Sequence, residues 1–404
     1  MNGKQLGLLL GLLVVLGAAG LLIQHSRNQA ISSEAPGGGG KLLGTNFPIN
    51  DVGAFEIRQG TNVLNLSQKE GDVWRVGERS NYPAAFPQIS ELLVKTRDLK
   101  IVESDEISPA DLASLQLAPA GQGTNSGVEL VLKGKNGKII QSVTLGKPHV
   151  KKPAQRTPGG DSEGFADGRY VMLASDPKTA LLVSDPLSEV EPRPEAWLNK
   201  EFFKVDRPRV VSVSYPDATN SWKIDRTNEA SAWNFKNPEA GEEPDTNKLT
   251  GVGTPFASPS FEDVLVATKA EDTGLDKPTV VTVETFEDFT YVVKIGKKIG
   301  ENYPLTVGVS AAFPKERTSE PGEKPEDKDK ADKAWQEQQN ALKEKLKQAK
   351  ALDGWIYSVP AWNLDTILKN RKELMADKKV EAKPGDPTSA PVEKKDTAAP
   401  DAPK

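Results

Sequence analysis

Few side chains in this chain have the type and spacing to do chemistry. It holds two histidines and no cysteine in 404 residues, which removes disulfides, thiolate metal sites and thiol nucleophiles. His25 borders an apolar amino-terminal run and His149 stands in a polar stretch before Lys151-Lys152, so both read as exposed bystanders without a second histidine. Asp161, Glu163 and Asp167 occupy positions 1, 3 and 7 of a calcium-loop spacing. A helix–loop–helix site also needs an oxygen ligand at position 5 and a glutamate at 12, where Phe165 and Met172 stand, so the segment reads as a solvated acidic turn. Ser175-Asp176-Pro177-Lys178 has the Ser-x-x-Lys form without its companion elements, and Gly308-Val309-Ser310-Ala311-Ala312 lacks the second glycine of a nucleophile elbow. No phosphate-binding glycine loop opens a helix. Carboxylates are plentiful, but nothing in their spacing sets two across a cleft for acid–base work. No catalytic, cofactor-binding or metal-ligating residue is assigned, no cofactor is expected, and the expectation is a non-enzymatic protein.

Aromatic residues are more informative. Trp74, Trp222 and Trp233 recur at matched strand positions and are expected in cores. Trp335, Trp355 and Trp362 gather near a charged segment and, with Leu342 and Leu346, form a candidate partner surface for a protein or a glycan. Net charge is −5, with 52 basic against 57 acidic residues, which argues against nucleic acid as a partner.

The elements that carry these residues occur twice in one order. Phe55-Glu56-Ile57, the Trp74 strand, Gly127–Leu132, Leu145-Gly146-Lys147, Tyr170–Leu173 and Trp197-Leu198 make the first series. Val211–Tyr215, the Trp233 strand, Thr279–Glu284, Ile295-Gly296-Lys297, Trp355–Val359 and Ile367–Leu374 make the second. Two tandem repeats follow, over residues 45–205 and 206–378, since one core seldom grows past about 250–300 residues.

In the first, Leu64, Leu66, Trp74 and Val76 alternate on the buried face of a hairpin. Phe86, Ile89, Leu92, Leu93 and Thr96 fall at helical spacing, with Pro87 in the first turn and Ser108 capping a second helix at Pro109. The second repeat has Asp245–Phe256 at the place of the first helix, shortened or broken by Gly251, Gly253 and Pro255. Each repeat therefore reads as α+β with a mostly antiparallel sheet. Matching the Tyr170 strand with Trp355–Val359 places a charged helical insertion, about 312–353, opposite the loop between Lys147 and Tyr170. Trp335, Leu342, Leu346 and Ala349 give it a thin apolar stripe.

Leu6–Ile23 is an unbroken apolar run of eighteen residues, roughly 27 Å as a helix. Residues 1–27 are expected to form a transmembrane anchor bearing Leu6, Leu10, Leu13, Leu16 and Ile23. The competing expectation is a signal peptide cleaved at Ala18-Ala19-Gly20. Gly7 and Gly11 leave a homodimer open through a Gly-xxx-Gly pair. Residues 28–44, with Gly37–Gly40, read as a flexible linker, and 379–404 as a disordered Pro/Ala/Lys tail.

The order of the Trp74 strand, helix, paired strands and Tyr170 strand, repeated from Trp233, resembles the bacterial domain-of-unknown-function family 4340. The resemblance spans about residues 45–378. It implies an inner-membrane, single-pass protein with its bulk on the periplasmic side, beside auxiliary components of gliding-motility-type ABC transporters. It carries no catalytic residue. The expectation is a scaffold or accessory protein with protein partners in the cell envelope. An envelope glycan or small ligand held in the groove between the repeats is the alternative, and a carboxylate-based hydrolase the remaining one.

Overall fold

Alternation along Asn62–Gln68 and Trp74–Val76 buries Leu64, Leu66, Trp74 and Val76 together, and the two segments pair antiparallel with Leu66 opposite Val76. That hairpin lies near one edge of a nine-stranded sheet. The computed structural model describes residues 39–44, 46–69, 72–119, 126–151, 164–318 and 324–377.

The strands of the first half are β1 (Val52–Gln59), β2 (Asn62–Gln68), β3 (Trp74–Val76), β4 (Tyr82–Pro83), β5 (Ile101–Glu106), β6 (Val128–Gly134), β7 (Ile139–Lys151), β8 (Phe165–Leu173) and β9 (Asp176–Val183). They lie in the order β4-β3-β2-β1-β6-β7-β8-β9-β5. Helix α1 (Phe86–Asp98) sets Ile89 and Leu92 on the buried face, and α2 (Pro109–Ser114) begins in a capping box between Ser108 and Asp111. Phe86, expected on the buried stripe, is 59% exposed, and the buried face of α1 starts at Ile89.

The second half has β10 (Pro208–Ser214), β11 (Trp222–Asp225), β12 (Asn234–Phe235), β13 (Asp263–Leu265), β14 (Thr279–Thr285), β15 (Phe289–Ile295), β16 (Asn302–Ala311) and β17 (Ile356–Pro360). Their order is β12-β11-β10-β14-β15-β16-β17-β13. Its helices are α3 (Thr246–Val252), capped by Asp245, then α4 (Ala270–Thr273) and α5 (Pro325–Lys350). All strand ladders in both sheets are antiparallel. The structure is thus α+β, with two mixed-order antiparallel sheets.

Strand for strand, the second order repeats the first with β4 left out. Register agrees as well: Phe55 lies between Leu66 and Leu132, and Val211 between Ile224 and Val283. The ladder of β1 with β6 shifts between Val52 and Ala54, and that of β10 with β14 between Pro208 and Val210. A bulge at one edge of a central strand re-aims the chain entering it.

Strand order also corrects the match made from sequence. Tyr170 belongs to β8, whose counterpart is β16 and not the Trp355–Val359 strand; β17 is instead the counterpart of β9. The insertion bearing α5 therefore interrupts the β16–β17 hairpin. The apolar positions of β9 fall in one run at its end, and β16 carries Pro304 and Gly308, so neither reads as a plain alternating strand.

The folded chain begins earlier than the expected linker boundary at Gly44. Leu42 is buried, its N–H bonds the Leu99 carbonyl at 2.8 Å, and Lys41 bridges Lys100 beside β5. Residues 1–38 and 378–404 lie outside the described residues, and with them the anchor positions Leu6, Leu10, Leu13, Leu16 and Ile23, as well as His25. Among the described residues no helix is long and apolar enough to cross a membrane.

The Gly-Lys pair repeated in both halves has a geometric reason. The Lys147 N–H bonds the Leu115 carbonyl at 2.8 Å, and the Lys297 N–H bonds the Thr273 carbonyl at 2.9 Å. The chain leaving the first short helix and the last residue of the second thus each bond a strand-side Gly-Lys pair, inside β7 in the first half and just past β15 in the second. A Cβ on Gly146 would stand 2.3 Å from the Leu115 oxygen, and one on Gly296 would stand 2.1 Å from the Thr273 oxygen. Gly146→Ala and Gly296→Ala should each lower stability by about 1–3 kcal/mol, read as the urea midpoint. Gly308→Ala, with open space at its Cβ, should stay within about 0.5 kcal/mol.

Candidate interdomain junction and partner surface

Each sheet ends in a very short strand, β4 in the first and β13 in the second, and these ends meet. Tyr82 on β4 is 3% exposed and packs edge-on against Trp355 at 5.0 Å, Phe261 at 6.0 Å and Tyr357 at 6.2 Å between ring centroids. The connector between the halves adds Phe202, whose ring lies 4.7 Å from Tyr357 and 5.0 Å from Phe261. Phe203 continues the cluster to Phe256 at 5.4 Å, and the Val205 N–H bonds the Phe256 carbonyl. Burial raises the phenol pKa of Tyr82 and that of Tyr357, so both stay neutral; the Tyr357 hydroxyl donates a hydrogen bond to the Leu352 carbonyl.

Charges close the rim. Arg79 Nε lies 2.6 Å from Asp263 Oδ1 and its Nη2 2.8 Å from Oδ2, with Glu195 at 3.8 Å. That fork is a bidentate pair joining the two halves, and it raises the Arg79 pKa. Lys200 Nζ sits 4.8 Å from the Phe261 ring centre and bonds the Glu262 carbonyl. Burial of that end lowers its pKa, although much of the side chain is exposed.

Helix α5 is tied on beside the junction. Leu342, Leu346 and Ala349 pack on the core along β16. Lys345 reaches Asp206 at 3.1 Å and Glu287 at 3.0 Å, over the Phe289 ring. Burial works against the charge of Lys345, but the bonds to Glu287 and Asp206 outweigh it and its pKa is raised. For Asp206 burial is likewise outweighed by Lys204 and Lys345, and its pKa is lowered.

The residues expected to form one partner surface are divided by this arrangement. Leu342 and Leu346 face the core, Trp355 is held by Tyr82, and Trp335 is half-buried on α5. Trp362 alone stands out, 68% exposed, over a concavity of about 260 Å³ bounded by Gly251–Pro259 and the turn Ala361–Asn363. The space between the halves, expected as a groove, is filled at the junction by Tyr82, Phe202, Phe261, Trp355 and Tyr357. Sequence reading missed Arg79, Asp263 and Lys345, whose partners are distant in the chain. The Phe202-Phe203 pair in a connector was the available signal, since a solvated connector rarely carries two adjacent aromatics.

Trp74, Trp222 and Trp233 are buried as expected. His149 lies on β7 and not in a loop, its Nδ1 2.6 Å from Asp167 Oδ1. Asp161 and Glu163 lie outside the described residues, and Phe165 onward is strand β8, not the helix a calcium loop requires. Ser175 and Lys178 are exposed at the β8–β9 turn. Ser310 is exposed on β16. Among the described residues no group of three or more histidine, aspartate or glutamate side chains is placed to hold a metal ion.

Two antiparallel sheets of this order, each backed by short helices, define an α+β protein of a fold class that carries no activity by itself. The family model described as Domain of unknown function (DUF4340) matches residues 74–278, half of the chain, from β3 of the first sheet to the residue before β14 of the second. The chain belongs to that family. No curated protein and no solved structure matches it.

In a double-mutant cycle, Arg79→Met with Asp263→Asn should give a coupling of about 0.5–1 kcal/mol in stability. The acid side is testable separately. A carboxyl whose pKa is lowered on folding contributes stability above its ordinary value, 3.8 for Asp206, and loses it as pH falls through the folded value. Lys345→Met should therefore cost about 0.5–1 kcal/mol at neutral pH. The difference from the unsubstituted protein should shrink as pH drops below 3.8 in urea titrations.

Proposed function

We propose that the protein is a membrane-anchored extracytoplasmic scaffold or accessory protein made of two tandem homologous α+β repeats. The observation that carries this reading is the fusion of both halves into one continuous buried core through Tyr82, Phe202, Phe261 and Tyr357. Such a body presents fixed surfaces and has little freedom to open and close around a substrate at that junction. Homology of the halves is supported by their common strand order, the common bulge and the two Gly-Lys dockings. Anchoring rests on the apolar run Leu6–Ile23. Association with an ABC-type or gliding-motility-type system rests on the setting in which the family's members occur.

Full-length protein should stay in the membrane pellet through carbonate and high-salt washes, and release of the intact chain would contradict the anchor. Crosslinked capture from solubilised membranes should recover integral components of a transport complex. Recovery of the protein alone would count against scaffolding.

A further inference from the structure

The second half holds an exposed indole on a rigid mount, beside the Phe256 end of the junction cluster. Trp362 is 68% exposed, while Ala361 before it and Leu364 after it are buried, so the ring stands out from a fixed turn. Beneath it lies the concavity of about 260 Å³, whose lining includes Thr254, Ser258, Asn363 and Thr366. No charged side chain lines it, although 27% of the chain is charged.

Its walls are set before any ligand arrives. Pro255 and Pro259 restrict one wall. Between them Phe256 has φ of 58°, a left-handed conformation that a bulky residue adopts only under constraint. The constraint is visible: its ring is buried near Phe203 and its carbonyl accepts the Val205 N–H at 3.0 Å. Asn363 Nδ2 braces the opposite wall by donating to the Ser260 carbonyl at 3.1 Å and Oγ at 3.2 Å. A site ordered in advance loses little entropy on binding.

We propose that this concavity binds a neutral carbohydrate, with one pyranose ring stacked on Trp362. The electron-rich face of an indole attracts the C–H face of a sugar ring, and the hydroxyl and amide groups around it match the ring's hydroxyls. Absence of charge from the lining disfavours anionic ligands, whose desolvation nothing there would offset. Volume limits the site to one ring, since pockets for larger ligands start at about 300 Å³. A proline-rich peptide fits less well, because such segments dock across several aromatic ridges and only one indole stands exposed here. Phe256 ties one wall to the junction, but Trp362 and Thr366 are not part of that cluster, so substituting them leaves the scaffold reading untouched and the two failures are separate results.

Full-length protein in detergent is titrated with chitotetraose, cellotetraose and maltotetraose, with an oligogalacturonate as anionic control and a proline-rich peptide as rival. By ligand-observed NMR, at least one neutral oligosaccharide should bind with a Kd on the order of 1 mM. Trp362→Ala should weaken binding about tenfold or more, Trp362→Phe should restore part of it, and the exposed position keeps the fold intact. Thr366→Val, judged by the same titration, should weaken binding without changing the urea midpoint. No response to any of the three neutral sugars would overturn the proposal. So would binding unchanged by Trp362→Ala, or tighter binding of the peptide or the oligogalacturonate.

Discussion

Packing of Tyr82 on Trp355, Phe261 and Tyr357 solves a problem that every open antiparallel sheet carries, the exposure of its edge. Strand β4 pairs with β3 and on its other side takes the Asn199 N–H on the Pro83 carbonyl at 2.9 Å, while β13 pairs with β17, so little edge backbone is left to other chains. Each edge is two or three residues long, and Tyr82 on one packs ring to ring with Phe261 and Trp355 of the other half. A buried aromatic of this size contributes more than the rim charges can, because exposed or half-exposed ion pairs are worth about 0–1 kcal/mol. Arg79 and Asp263 act mainly in setting the angle at which the rings meet. Remove the rings and the charges have nothing to orient.

The opposite edge of the first sheet is managed differently. Strand β5 pairs with β9, and its free side is covered by Gly40–Leu42, through the Ile101 N–H to the Gly40 carbonyl and the Leu42 N–H to the Leu99 carbonyl. On the outer face of the sheet the same economy of burial recurs. Glu56 is 5% exposed, yet it keeps its charge: burial works against it, but bonds to Lys133 at 2.7 Å and to Arg58 hold its pKa below the usual carboxylate range. Long basic side chains shield it with their stems while their heads stay wet.

Legibility in the sequence followed the strength of local pattern. Leu64, Leu66, Trp74 and Val76 were readable because period-two alternation was interrupted only by a turn. Ser108 and Asp111 were readable because a capping box is a short-range device. The central strands came through twice for the same reason. What failed was whatever depends on distant partners. Strand β16 carries a proline and a glycine, and β9 opens with three exposed residues, so the eye joined Tyr170 to the wrong strand of the second half. Leu42 looked like linker because its glycine-rich neighbours mask a single anchoring side chain. Arg79 and Asp263 are 184 residues apart, and no periodicity reports such a pair.

The insertion shows why the two halves can share a sheet order and still differ. A hairpin turn is the place where an antiparallel ladder tolerates added chain, since the strands on either side remain paired. Strand β17 pairs with β16 only over Asn302–Leu305, and α5 packs along β16. In the first half β9 runs back along β8 as far as Leu173, so no helix is needed there. A helix of 26 residues spans about 39 Å, far more than one strand requires. Leu342, Leu346 and Ala349 seat only its carboxyl-terminal part, and Arg317 meets Asp332 at 2.7 Å nearer its start. The thin stripe seen in the sequence is therefore the footprint of a helix laid on the core along β16, and the charge around it follows from the faces that the sheet does not cover.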